Sequence, residues 1–166
     1  KALHDSAPQI LMKAHNAGIT TSLDTGWDPD GRWDVAEALQ WVDVFFPNEE
    51  EAAAITGEKN ILRAAAKLLA KGPSIVAVKR GSLGCIVVTR EQNIDVPAFK
   101  VTPIDTTGAG DAFNAGFIHS YLRGKTLQEC AKYGNATGAL KTLKPGCRGL
   151  PDLKSLEQRM RRDRVP

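Results

Sequence analysis

The chain has 166 residues, 42% hydrophobic and 25% charged, with a formal net charge of only +3. That length carries one domain with a real core, and the composition excludes a disordered or fibrous chain. The balance argues against a nucleic-acid binder too: the basic run "RMRRDR" at 159–164 has no interleaved aromatics and reads as a solvated helix end. In chain order, "SAPQILMKAHNA" (6–17) is a predicted helix with a Ser6 cap, an early Pro8 and a stop at Gly18. "ITTSLD" (19–24) predicts a buried strand ending on an acid, "WDVAEALQ" a short helix, and "VDVFF" (42–46) a strand closed by Pro47. A helix over "NEEEAAAIT" follows, then one from Asn60 to Lys71 closed by Gly72, then the strand "SIVAVKR" (74–80).

Beyond residue 80 the order changes. "CIVVT" and "IDVPAF", separated by "REQN", predict a hairpin-like edge. Helices from about Gly108 to Leu122, Leu127 to Leu143 and Asp152 onward complete the chain. Helices alternating with continuous apolar strands predict a largely parallel, three-layer α/β sheet. Ligands gather beyond the carboxyl ends of such strands. Asp24, Asn48, Lys79 and the 105–111 loop all follow strands, so one polar edge is expected.

Cys85, Cys130 and Cys147 are odd in number, far apart and without metal-ligand spacing. With His4, His15 and His119 scattered on helices, they predict a reduced, cytoplasmic chain with structural thiols. No apolar run has the length of a membrane span, and no signal-peptide pattern is visible, so no membrane partner is expected.

The loop "TTGAGD" opens a predicted helix, where free N–H groups and the positive dipole end hold anions. Gly108 and Gly110 permit close backbone approach to a phosphate. Asp111, in the first turn, is kept ionised and a weak base; for a loose phosphoryl transfer that is sufficient, because the acceptor hydroxyl needs alignment more than a strong base. A favourable N-terminal charge would explain a lone Asp there equally well.

"DTTGAGDAFNAGFI" (105–118) resembles, at all fourteen positions, the C-terminal signature of the PfkB/ribokinase family of carbohydrate kinases. The resemblance implies a ribokinase-like three-layer α/β/α sandwich and an ATP-dependent kinase acting on a sugar or sugar-like alcohol. It implies that Asp111 is the catalytic base and that the amides of Gly108, Ala109 and Gly110 form the anion hole. "PNEEEAAAITG" (47–57) resembles the family's Asn-x-x-Glu segment, so Asn48 and Glu51 are expected near Mg²⁺ through water; an ordinary helix cap accounts for both residues as well. "VKRGSLGC" (78–85) matches the turn flanking the nucleotide, giving Lys79, Gly81 and Gly84, with a plain glycine turn as the alternative. Asn135 in "YGNATGAL" falls where the family places a residue beside adenine, on a small neutral face along which a base could lie flat. Gly146 in "LKPGCRGLPDL" marks the segment closing the nucleotide pocket.

Two departures stand out. Asp105 and Thr107 match residues that help bind a monovalent cation in ribokinases, but the Ser of the closing segment is replaced by Gly149 or Leu150. After Asp24 the chain reads "DTGWDPDGRW", keeping Arg32 and Trp33 of a family pattern whose Asn is missing.

The resemblance runs from about residue 6 to 155 but covers only the second half of the family's domain. The chain opens "KALHDSAPQIL", without Met and directly in a helical pattern. It is therefore expected to be the C-terminal portion of a single kinase domain, lacking the lid and the sugar side and inactive alone; the full-length protein is expected to form a homodimer. Ribose, fructose, a keto-sugar acid and a nucleoside all stay open as substrates. A nucleotide-binding half-domain or pseudokinase without catalysis is the alternative. A dinucleotide-binding oxidoreductase is disfavoured, because no G-x-G-x-x-G follows the first strand.

Overall fold

The computed structural model describes residues 2–26, 33–147 and 149–162. Five strands form one sheet in the order β1-β2-β3-β4-β5: Ser22–Leu23, Val44–Phe45, Ile75–Lys79, Cys85–Val88 and Asn93–Val96. The first three pair in parallel, with Ser22 opposite Val44 and Phe45 opposite Val76. A further bridge between Asn48 and Lys79 carries the β2–β3 pairing to the carboxyl ends of the strands. The chain divides into two compact units, one reaching to Lys79 and including Val87–Asn93, the other made of Arg80–Ile86 and the chain from Ile94 onward.

In the first unit, helices α1 (Ala2–Asn16), α2 (Ala36–Leu39), α3 (Glu49–Thr56) and α4 (Ile61–Leu69) alternate with the parallel strands. β3 reads IVAVK and buries its first four residues, as a strand covered on both faces must. α4 buries Ala64, Ala65, Leu68 and Leu69, one face of a helical period, and starts where the Asn60 side chain accepts from the Arg63 amide at 3.0 Å. After α4, Gly72 is obligatory: its φ is +144°, and a Cβ there would stand 2.3 Å from the Leu39 carbonyl oxygen.

The expected Ser6 cap is not found. α1 begins at Ala2, so Ser6 and Pro8 lie inside the helix, where Pro8 gives up one backbone donor. The expected strands also shorten: β1 pairs only at Ser22–Leu23, although the Thr21 carbonyl accepts from the Asp43 and Val44 amides, each at 3.1 Å.

A short 3-10 turn at Gly81–Leu83 in the second unit precedes the hairpin strands β4 and β5, whose connecting residues 87–93 are counted with the first unit. α5 (Ala109–Tyr121) then packs along α6 (Leu127–Lys141), and α7 (Leu153–Arg162) packs on α6. The contact between α5 and α6 is close because glycines line it. A Cβ at Gly116 would lie 2.3 Å from the Thr137 hydroxyl, and one at Gly134 would lie 2.8 Å from the Phe113 ring. A Cβ at Gly138 would be 3.2 Å from the Ala109 carbonyl. The small face of α6, expected to receive a flat base, thus receives α5 along Gly134 and Gly138. α7 closes the other side through Leu156 and Met160 against Ala136, with Phe99, Tyr133 and Leu140 around them.

Candidate active site

The first unit brings three of the expected residues together at the carboxyl ends of its strands. Lys79 Nζ meets Asp24 Oδ2 at 2.5 Å across β2, with side chains only 14% and 21% exposed. Asp24 Oδ1 accepts from the Gly26 amide at 2.9 Å, so the carboxylate is held on both oxygens. The Lys79 amide donates to the Pro47 carbonyl at 2.8 Å, which sets Asn48 beside it. Lys79 is therefore a partly neutralised cation at the strand end. Arg32 and residues 163–164 of the basic tail lie outside the described residues; Trp33 is described, and its Nε1 donates to the Gly26 carbonyl at 3.1 Å.

Asn48 and Glu51 form a reciprocal capping box. Asn48 Oδ1 accepts from the Glu51 amide, Glu51 Oε2 accepts from the Asn48 amide, both at 2.8 Å, and Glu51 is only 4% exposed. Each side chain already satisfies one orphan donor of α3, so the helix cap accounts for both residues, and a Mg²⁺ ion here would be met through water rather than by direct ligation. Among the described residues no group of three or more His, Cys, Asp or Glu stands ready to hold a metal.

The second unit builds the glycine loop. Asp105 Oδ1 accepts from the Thr107 amide at 2.8 Å and Oδ2 from the Gly146 amide at 2.7 Å. The hydrogen bonds from Thr107, then that from Gly146, pull the Asp105 carboxyl down to about 2, with the Lys141 ammonium adding to the effect. Gly108 caps α5 in the left-handed region at φ +75°, where no side chain supplies a cap. The Ala109 amide closes a turn on Thr106 at 3.0 Å, and that of Ala112 bonds Gly108 at 3.0 Å. Among the described residues the amides of Gly108, Gly110 and Asp111 have no acceptor. Three amides at the positive end of a 13-residue helix, followed by the exposed Asp111 carboxylate, make an anion site with a proton acceptor at its rim. Ala109, expected in that hole, instead turns its amide onto Thr106.

Gly146 contributes a backbone donor to Asp105. Gly81, at φ +54°, opens the 3-10 turn in free space. Gly84 is enclosed: at φ +94°, an added Cβ would stand 2.1 Å from the Val96 carbonyl oxygen. Asn135 is tied to the same strand end, its Nδ2 donating to the Val96 and Pro97 carbonyls at 3.0 and 3.1 Å. The Asn135 amide group is thereby tied to the backbone, and the residue is a brace between α6 and the exit of β5.

Sequence reasoning missed Lys141. It is wholly buried, and its Nζ donates to the carbonyls of Asp105 at 3.0 Å and Lys144 at 3.4 Å. A lysine in the last turn of a helix carries no signal in sequence, because such residues ordinarily sit in water and complement the dipole. Nor do the residues around Asp105 fit a free monovalent cation. The carboxylate holds two amides, and the carbonyl already has an ammonium.

The pattern of the family described as "pfkB family carbohydrate kinase" matches residues 4–153. The chain belongs to the PfkB family of carbohydrate kinases. Among its PfkB relatives, an uncharacterized sugar kinase of Archaeoglobus fulgidus is 40% identical over 135 residues, 80% of this chain and 54% of that protein. The ATP-dependent ribose-1-phosphate kinase of Halopiger xanaduensis is 39% identical over 147 residues, 89% of this chain and 48% of that protein. The ribokinase of Arabidopsis thaliana, solved with ribose and ATP, superposes with a TM-score of 0.82 at 30% identity, over 92% of this chain and 51% of that one. The fold is ribokinase-like, and this PfkB chain spans about half the length of the curated relatives it matches.

Proposed function

We propose that this chain supplies the nucleotide side and the proton acceptor of an ATP-dependent carbohydrate kinase, as the C-terminal portion of a single domain. One observation carries the reading: the acceptor-free amides of Gly108, Gly110 and Asp111 at the start of α5, with the exposed Asp111 carboxylate directly after them. The amides bind charge that builds on the transferring phosphoryl group, and removing one such donor typically costs about 10²–10³ in turnover. Asp111 aligns the acceptor hydroxyl and takes its proton as the new O–P bond forms and ADP leaves. Asp105, clamped by Thr107 and Gly146, keeps the loop open toward the phosphate. Mg²⁺, carried with the nucleotide, supplies charge neutralisation on the phosphates; Asn48 and Glu51 are the residues that would meet its water shell. Lys79, steadied by Asp24, faces the nucleotide phosphates in this proposal. Gly81, Gly84, Asn135 and Gly146 shape the backbone bordering the nucleotide rather than contacting it through side chains.

The relatives named above are a sugar kinase, a ribose-1-phosphate kinase and a ribokinase, and this supports a sugar or sugar-like acceptor. The groups that select the acceptor belong, in this proposal, to the half of the relatives' length that the chain does not cover. The test is Asp111→Asn in a protein carrying this chain as part of a whole kinase domain. ATP affinity is expected to stay within a few-fold while kcat falls about 10²–10⁴-fold. An Asn variant with unchanged kcat removes Asp111 from the chemistry.

A further inference from the structure

Lysine is almost never fully buried without a partner, because an ammonium out of water must find oxygen atoms to replace its hydration. Lys141 is 0% exposed, and the oxygens it reaches are main-chain carbonyls, those of Asp105 and Lys144. The two carbonyls come from segments 36 residues apart in one case and three in the other. The same junction is laced by backbone bonds: the amides of Ile104 and Asp105 both reach the Thr142 carbonyl, at 2.8 and 3.1 Å. It is laced again by the Asp105 carboxylate, which holds the Gly146 amide at 2.7 Å. Above it sits Gly108, whose added Cβ would lie 3.9 Å from Lys141 Cε and 3.5 Å from Cys147 Cβ. The lysine stem therefore runs beneath the residue that caps α5, and its ammonium joins the root of the glycine loop to the end of α6.

Carbonyls from two chain segments beside a carboxylate are the donor set of a monovalent-cation site. Here the chain fills that place with its own side chain. We infer that Lys141 is a positioning residue, a built-in cation that fixes the 105–108 turn so that the Gly108, Gly110 and Asp111 amides stay directed at an anion without any added potassium or ammonium ion. The location at the carbonyl end of α6 favours a cation further. The consequence for phosphate binding rests on the function proposed above; the structural role of the ammonium does not.

The experiment compares the chain with Lys141→Ala and Lys141→Met. Thermal midpoints and MgATP affinity are measured in chloride salts of lithium, potassium, ammonium, propylammonium and N-methylglucamine at equal ionic strength. The unsubstituted chain is expected to give the same midpoint and affinity in every salt. Lys141→Ala is expected to lose at least 10-fold in MgATP affinity and to melt lower, with ammonium or propylammonium restoring most of both and lithium and N-methylglucamine restoring neither. Lys141→Met keeps the volume without the charge and is expected to stay weak in every salt. Potassium dependence of the unsubstituted chain, or full MgATP affinity in Lys141→Met, overturns the inference. If Lys141→Ala does not fold, those two measurements still decide it. Restored midpoints with no MgATP binding in any form, the unsubstituted chain included, would instead remove the phosphate function of the loop and leave the role of Lys141 in folding intact.

Discussion

The capping box at the head of α3 gives the sharpest separation of a structural from a functional role. Asn48→Ala removes the acceptor that the Glu51 amide meets at 2.8 Å. Loss of such a cap costs about 1 kcal/mol, in a range of about 0.5–2. For a chain of this size that corresponds to a fall of about 2–4 °C in melting temperature. Glu51→Ala should cost more, because the Asn48 amide is left without its 2.8 Å partner in a half-buried place, and an orphaned donor there costs about 1–3 kcal/mol. Glu51→Gln keeps an acceptor for that amide and loses only the charge at the helix start, worth about 0.3–1 kcal/mol. The order of melting temperatures is therefore expected to be wild type, Glu51→Gln, Asn48→Ala, Glu51→Ala. Circular dichroism melts check it, and calorimetric titration of ATP at several Mg²⁺ concentrations reads the metal side. Glu51→Gln is expected to raise the Mg²⁺ needed for half-maximal ATP binding several-fold while melting within about 3 °C of wild type. Unchanged Mg²⁺ dependence in this variant removes Glu51 from the metal's surroundings. An Asn48→Ala protein that melts at the wild-type temperature refutes the cap itself.

Three further outcomes are expected. Gly84→Ala should destabilise by about 2–4 kcal/mol, since it combines a positive φ with a Cβ 2.1 Å from the Val96 oxygen. Gly81→Ala, with open space around it, should cost only about 1–2 kcal/mol in parallel denaturant titrations, and equal losses at both sites would discredit the clash. The Asp105 carboxyl titrates at about 2 in the fold against an ordinary 3.8, so its stabilisation is present above pH 4 and is lost as pH falls from about 4 to about 2. Asp105→Asn should flatten that acid limb of the stability curve, and a limb as steep as that of the wild type would contradict the assignment. Finally, a disulfide-exchange reagent should modify one thiol fast: Cys147 is exposed, whereas burial pushes Cys85 to about 12 and Cys130 to about 11. Because Cys147 stands beside Gly108, MgATP should slow that reaction, and an unprotected Cys147 in the presence of bound MgATP would argue against phosphate at the loop.

Much was legible in the chain because its signals are local. Caps such as Asn60, stops such as Gly57 and Gly72, and the apolar run of β3 act within a few residues, so they mark elements before any packing exists. The glycine loop was legible for the same reason, since φ +75° at Gly108 and a helix starting at Ala109 are properties of five or six neighbouring residues. At Ser6 a local signal misled: it looks like a cap but lies inside α1, which begins at Ala2. Tertiary structure alone decided who meets whom. Lys79 finds Asp24 across 55 residues because two strands of one parallel sheet end side by side around β2. The small face of α6 could take a base or a helix equally by composition, and it takes α5 because Gly134 and Gly138 leave room for the Phe113 ring and the Ala109 carbonyl, and Gly116 for Thr137. Asn135 turns to the Val96 and Pro97 carbonyls because the fold brings the end of β5 beside α6. Lys141 is the extreme case: an ordinary surface residue by sequence becomes a buried cation, because only the folded chain gathers the carbonyl oxygens that replace its water.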